Sequence, residues 1–323
     1  MIEKITLIGL GAMGCFFAPR LYQCYGKNFR VLANGERKKR LETEGVWVNG
    51  SQYIFPVLDT DVKNDTADLI IISTKDTGYQ QALEDIRNQV GPNTIIMTVL
   101  NGVESEEKAA ALYGWEHVIY SLMRVSIVMQ DGHADFEPDS GKVHFGDKDG
   151  QGTGDSFIPS KRVMEVARVF QKAGIPYLVE EDVLFSMWWK FMANIGENMT
   201  CALLGIPFGG FRYSEDANWL RHAAMKEVAA IANAKGIMIG EKEMAVQDKI
   251  VCQIPPHNKP STLQDLENHR KTEIEMFAGT VCRMGRELRI PTPVNEILYH
   301  GIKTLENKYL KYGEWELIQE DMK

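Results

Sequence analysis

Up to about residue 181, short continuous apolar runs alternate with amphipathic stretches, the rhythm of buried parallel strands separated by helices. "KITLIGLGAMG" predicts a strand over 4–8, a turn carrying Gly9, Gly11 and Gly14, and a helix over 12–25. "NFRVLA" supplies a second strand, and further strands are predicted at 68–74, 94–98 and 117–122, with helices at 77–89 and 105–112 between them. Over 124–146 apolar and polar residues alternate in short runs, which predicts antiparallel additions at the far end of the sheet. A Gly and Asp loop over 146–155, a helix over 159–173 and a strand over 177–179 close this half. The period then becomes helical, with helices predicted at 183–204, 214–235, 241–252, 261–289 and 295–311, joined in part by the loops "GIPFGGFR" and "QIPPHNKPS". The expected fold class is α/β: an N-terminal doubly wound Rossmann-type domain over 1–181, followed by an all-α domain over 182–323.

Composition narrows the function classes. A chain of 323 residues with 44% hydrophobic content is long enough for two cores. A formal net charge of −8, with no gathered basic face, argues against a nucleic-acid partner. No apolar run reaches membrane-spanning length. The five cysteines, Cys15, Cys24, Cys201, Cys252 and Cys282, form no CxxC pair, so reduced thiols and a cytoplasmic location are expected. The seven histidines show no HxxxH or HExxH spacing, and no metal is expected. The opening apolar run also admits a secretory signal core. Only Lys4 precedes it, Glu3 cancels that charge, and its glycines weaken a helical signal, so the turn reading is preferred.

Strand, glycine turn and helix in that order form a dinucleotide-binding arrangement. One glycine makes the turn, one lets backbone approach a pyrophosphate, one permits close helix-to-strand packing, and the helix N-terminus faces the anion. At the tip of the second strand stands Asn34, followed by Arg37, Lys38, Lys39 and Arg40. A 2′-phosphate would meet positive charge there, so NADP is preferred to NAD; the plainer alternative is a solvated basic helical turn. Lys75 and Asn101 follow strands directly, at the carboxyl ends where doubly wound sheets bind ligands, although Asn101-Gly102 is also an ordinary turn pair.

In the second half, "FSMWWKFMANIGENMTCALLG" places Lys190, Asn194 and Asn198 four apart, a polar stripe that advances about 40° per step on an α-helix. Its neighbours Trp188, Trp189, Phe191, Met192, Ile195 and Met199 are too apolar for a solvent-facing helix, and polar groups buried there cost free energy unless something binds them. The plainer alternative is a snorkelling lysine and two asparagines capping loop carbonyls. Ser261 with Gln264 fits a capping box, with the serine hydroxyl still able to donate to a carboxylate. For Glu273 the ordinary reading is a surface ion pair with Arg270. Ile297, Leu298, Ile302 and Leu305 are read as core, with a homodimer interface as the alternative.

Taken together, the glycine motif, "TK" at Lys75, "LNG" at Asn101, "WWKFMANIGENMT" and "PSTLQDLENHRKTEIE" resemble the ketopantoate reductase family, the 2-dehydropantoate 2-reductases, in order and spacing over nearly the whole chain. The resemblance implies NADPH-dependent reduction of the C2 carbonyl of 2-dehydropantoate to pantoate, on the route to pantothenate and coenzyme A. It implies Lys190 as the general acid, Asn194 and Asn198 as orienting residues, and Asn258 and Ser261 at the substrate's hydroxyl and carboxylate ends. Glu273 matches the acid near the active-site lysine. With Gly9, Leu10, Gly11, Ala12, Met13, Gly14, Asn34, Arg37 and Lys75 it makes up the expected cofactor side, and Asn101 serves both cofactor and substrate. Three departures stand out: Asn34 replaces the family's usual Arg, Met199 replaces a common Pro, and the segment around Asn258 is unusually proline-rich. The alternatives are a related NAD(P)-dependent reductase of another 2-oxo acid, the β-hydroxyacid dehydrogenases whose opening is similar, and a non-catalytic NADP-sensing protein.

Overall fold

A computed structural model describes residues 1–310 except Ser126, Asp131 and Ser140; the last residue of the helix expected over 295–311 therefore lies outside the described residues. The chain divides into two compact units, Met1–Leu184 and Phe185–Lys323.

The first unit is built on an eight-stranded sheet. In chain order its strands are β1 (Ile5–Ile8), β2 (Phe29–Leu32), β5 (Val57–Leu58), β6 (Ala67–Ile72), β7 (Val90–Thr98), β8 (Val118–Arg124), β11 (Lys142–Gly146) and β12 (Tyr177–Val179). A separate four-stranded sheet holds β3 (Val46–Val48), β4 (Ser51–Tyr53), β9 (Val128–Gln130) and β10 (His133–Asp135). Across the large sheet the order is β12-β11-β8-β7-β6-β1-β2-β5, so the winding reverses between β1 and β6, the switch point of a doubly wound sheet. Strands β1 and β6 are buried on both faces, as parallel strands covered by helices must be. The covering helices are α1 (Ala12–Tyr25), α2 (Gly35–Thr43), α3 (Tyr79–Asp85), α4 (Ser105–Tyr113) and α5 (Lys161–Lys172). On one face Phe16 and Phe17 of α1 join Phe145 and Phe170 in a chain of ring contacts; on the other, Ile70, Ile72 and Ile96 pack against Tyr79 and Leu83.

One expectation for this unit is corrected, and one hairpin is added to it. The stretch 124–146 does not extend one sheet: β11 pairs antiparallel with β8, but the β9–β10 hairpin leaves to pair with β3. Short alternating strands carry a face but no address, so their partner is set by tertiary packing. The hairpin β3–β4 was not anticipated, although Asn49 and Gly50, with φ of 47° and 76°, are the residues a tight type I′ hairpin turn requires.

The second unit is helical: α6 (Val183–Asn194), a π-turn (Ile195–Met199), α7 (Thr200–Leu204), α8 (Gly210–Tyr213), α9 (Glu215–Ala234), α10 (Glu241–Gln253), α11 (Ser261–Glu267), a second π-turn (Glu275–Gly279), α12 (Thr280–Leu288) and α13 (Pro293–Leu310). The helix expected over 261–289 is thus broken after Glu267 and resumes at the second π-turn. His269 adopts φ 52°, and Arg270 turns back to Asp265 through both its amide and its Nε, at 2.7 and 2.9 Å. A side chain reaching its own helix end in this way competes with the next helical turn. Leu298 and Ile302 are core, whereas Ile297 is 62% exposed, so the four apolar residues of α13 do not share one fate.

Candidate active site

Each glycine of the opening turn has its own physical reason. Gly9 sits at φ +94°, and a Cβ there would lie 2.6 Å from the backbone of Ser73 and Thr74, just past the neighbouring strand β6. A Cβ on Gly14 would stand 2.2 Å from the Gly9 carbonyl oxygen, so α1 can lie this close to β1 only without a side chain. Gly11, the N-cap of α1, meets nothing within 4 Å and receives no side-chain cap. Open space beside Gly11 and no side-chain cap on the first turn of a 14-residue helix make a cradle that a Cβ would fill and that fits the pyrophosphate of a dinucleotide. Leu10 is buried, while Ala12 and Met13 are half-buried at the start of α1. Ser73 Oγ ties the turn to β6 by donating to the Gly9 carbonyl at 2.6 Å.

The other expected residues of this unit lie at the same carboxyl edge. Asn34 stands at the N-cap position of α2, two residues beyond β2, but its side chain does not cap the helix and instead donates its amide to Thr60 at 3.2 Å. Of the basic run, Lys38 is paired with Asp59 at 3.0 Å and Lys39 with Glu36 at 2.7 Å, which leaves Arg37 and Arg40 as its unpaired cations among the described residues. Lys75 is exposed just past β6; Asn101 is half-buried past β7, whose end is stitched to β6 by the Val99 amide donating to the Ile72 carbonyl at 2.9 Å. Gly102 takes φ +94° to complete the Asn101 turn.

Behind that turn is a group the sequence reading missed. Glu106, in the first turn of α4, is 1% exposed. It accepts from Thr98 at 2.8 Å and Ser105 at 2.9 Å, while Tyr79 of α3 donates to the Ser105 carbonyl at 2.5 Å. Burial pushes the Glu106 carboxyl up to about 7, against the opposite pull of those hydroxyl donors. Acids in a first helical turn are common and usually solvated, so "ESEEKAA" gave no sign of a buried one.

In the second unit, α6 carries Lys190 and Asn194, both half-buried, beside Trp188, Phe191 and Met192, all buried. Phe191 stacks on Phe277 with ring centres 6.3 Å apart, which fastens α6 to the second π-turn. Asn198 lies inside the first π-turn and is buried. This changes the predicted stripe. From Lys190 to Asn194 the helix advances about 40°, but a π-turn, with roughly 4.4 residues per turn, brings Asn198 back by about 30°. Lys190 and Asn198 are then nearly in line rather than about 80° apart.

Asn258 and Ser261 are exposed and close in sequence, but neither is placed as the capping pattern predicted. The N-cap of α11 is Pro260, Ser261 is its first helical residue, and Gln264 Nε2 donates instead to the Lys259 carbonyl at 2.7 Å. Pro260 holds the extended backbone of an N-cap, which shifts the helix start by one. Asn258 accepts the Phe208 amide through its carbonyl at 3.0 Å, joining the loops "GIPFGGFR" and "QIPPHNKPS". Glu273 is half-buried in the segment before the second π-turn; the expected partner Arg270 is taken by Asp265.

The second unit also encloses an ion network absent from the sequence reading. Arg221 of α9, 1% exposed, donates to Glu197 at 3.4 Å and to Asp248, and His222 Nε2 lies 2.7 Å from the same Asp248 oxygen. Gln247 donates to Glu197 at 2.9 Å. Burial drives the Glu197 carboxyl up to about 7, outweighing Gln247 and Arg221, which pull it down. The available signal was a lone carboxylate in the apolar run "FMANIGENM". All five cysteines are free, and among the described residues no three His, Cys, Asp or Glu side chains gather to hold a metal ion. No helix among the described residues is long and apolar enough to cross a membrane.

A doubly wound sheet with an open glycine turn at the end of its first strand, followed by a helical unit, is the architecture of a dinucleotide-binding protein. Comparison with known proteins places the chain within that class. Residues 5–150 match the family model "Ketopantoate reductase PanE/ApbA" and residues 182–306 match "Ketopantoate reductase PanE/ApbA C terminal". The chain is 30% identical to a 2-dehydropantoate 2-reductase of Streptococcus pyogenes over 300 residues, covering 90% of this chain and 93% of that one. It is 28% identical to that of Aquifex aeolicus over 319 residues, 96% and 99% of the two chains. A solved D-mandelate dehydrogenase in complex with NADH shares the fold, with a TM-score of 0.81 at 21% identity over 95% of this chain and 99% of that one. The chain belongs to the ketopantoate reductase family of oxidoreductases.

Proposed function

We propose that the protein reduces 2-dehydropantoate to pantoate with NADPH. The observation that carries this reading is the polar series Lys190, Asn194 and Asn198, set on a helix whose flanking residues are core. When bound, the nicotinamide cofactor supplies hydride to the C2 carbonyl. The negative charge that develops on the carbonyl oxygen needs a proton, which the Lys190 ammonium gives up as general acid. Asn194 and Asn198 orient the substrate, Asn258 and Ser261 meet its hydroxyl and carboxylate ends, and Glu273 acts beside the lysine. On the cofactor side, Gly9 to Gly14 cradle the pyrophosphate, Lys75 and Asn101 line the nicotinamide end, and Arg37, unpaired one turn past Asn34, meets the 2′-phosphate. The free thiols support a reducing, cytoplasmic setting. The full-length likeness to 2-dehydropantoate 2-reductases supports the substrate, and the NADH complex of a protein with the same fold makes the cofactor a point to measure.

The test is oxidation of NADPH, followed with and without 2-dehydropantoate, across a panel that includes a bulky aryl 2-oxo acid, and repeated with NADH. The highest kcat/KM is expected for 2-dehydropantoate with NADPH. A better 2-oxo acid in the panel overturns the substrate, and a preference for NADH overturns the role given to Arg37.

A further inference from the structure

Glu197 is 5% exposed and is the one carboxylate of the π-turn that carries Asn198, yet the chemistry above makes no use of it. We propose that Glu197, held by Arg221 and Gln247, is a positioning residue: it maintains the π-turn that aligns Asn198 with Lys190, and so sets the affinity for the 2-oxo acid. This rests on Asn198 being a substrate ligand.

A π-turn is a rare departure from the α-helix and persists where tertiary contacts hold it. Two such contacts fall in this turn. Gly196 lies against α9, where a Cβ would stand 2.6 Å from the Met225 side chain and 3.0 Å from the Arg221 carbonyl oxygen. Glu197 then reaches past it to Arg221 and Gln247, at 3.4 and 2.9 Å. Arg221 is itself fixed, because Asp248 takes its other terminal nitrogen and the Phe211 ring lies 5.1 Å from the guanidinium centre. The guanidinium has no freedom to follow a moving carboxylate, so the main chain must bring Glu197 to it. In a regular α-helix Glu197 would sit about 50° further round the axis, away from both donors. Leaving a buried carboxyl unpaired, together with one arginine nitrogen and an amide, costs more than one irregular turn, and the wide turn persists. The same turn carries Asn198, the next residue, into line with Lys190.

The variants Glu197→Leu and Glu197→Gln test this by steady-state kinetics with 2-dehydropantoate and by fluorescence titration of NADPH. Glu197→Leu is expected to raise KM about tenfold or more, with a smaller change in kcat and unchanged NADPH affinity, because a contact made equally to bound substrate and transition state is lost. Glu197→Gln keeps an acceptor oxygen for both donors and is expected to recover most of the affinity. An unchanged KM in Glu197→Leu, or equal damage in both variants, overturns the proposal. If Glu197→Leu does not fold, Gln247→Leu removes one donor from the same carboxyl and must raise KM in the same sense; no rise overturns it. If the wild type reduces no 2-oxo acid, the functional reading fails alone, and a crystal structure of the Glu197→Leu or Gln247→Leu variant decides the geometry. A regular helix over 195–199 supports the positioning role, and a retained π-turn refutes it.

Discussion

At the end of β1 the candidate site is made of main chain: Gly9 turns, Gly14 lets a helix approach, and Gly11 leaves open space at the start of α1. In the second unit the candidate site is made of side chains, Lys190, Asn194 and Asn198, whose alignment depends on a backbone irregularity held by residues 24 and 50 positions away. Each has a buried carboxyl behind it. Glu106 is met by neutral hydroxyls from its own neighbourhood, whereas Glu197 is met by a fixed arginine and an amide from two other helices. A site built from backbone is encoded locally, because removing side chains is a local act. A site built from side chains on an irregular helix is encoded by whatever holds the irregularity.

That contrast can be broken by substitution. The largest effect is expected at Lys190→Ala, where kcat should fall roughly a hundred- to ten-thousand-fold while NADPH affinity, read by fluorescence titration, stays within about twofold. Turnover that survives the change removes Lys190 from the chemistry. Next comes Gly14→Ala, whose methyl group has no room against the Gly9 carbonyl; urea denaturation should show a loss of about 2 kcal/mol or more.

A pH series separates the first carboxyl from its surroundings. The Glu106 carboxyl titrates near 7 in the folded chain, against 4.5 when free, so between those values the folded state keeps a proton that the unfolded chain has released. Stability must therefore fall as pH rises through that window, by about 1 kcal/mol per unit for this group, and level off above it. The difference between wild type and Glu106→Gln in urea denaturation from pH 5 to pH 8 isolates this slope; a flat difference refutes the raised value. The smallest effect is expected at Gly11→Ala. Its backbone is extended and a methyl group meets no atom, so thermal stability should hold, while NADPH Kd rises about tenfold as the cradle fills. Equal NADPH binding by this variant would show that the pyrophosphate does not approach there.

Much of the first unit was legible because its signals are short-ranged. Apolar runs such as "ADLIII" mark strands buried on both faces, and the glycine spacing marks a turn whose needs are steric. Failures came where partner choice is non-local. The β9–β10 hairpin showed its alternation but not that β3 would receive it, and the stretch 261–289 showed a helical period but not that Arg270 would fold back on Asp265 and end α11. For the candidate residues, the sequence placed Lys190 and Asn194 on one helix by simple counting. It misplaced the angle of Asn198, because counting assumes 3.6 residues per turn throughout.

What the sequence determined by itself was the alternation of strands and helices, the glycine cradle, and the presence of a lysine and two asparagines in an apolar helical setting. Those follow from periodicity and from the steric needs of single residues. Only the tertiary structure decided where Asn198 stands, which cations of the basic run remain unpaired, and that Glu106 and Glu197 are enclosed. The reason is that burial and pairing belong to residues brought together from distant parts of the chain, and their cost is set only once both partners have left water.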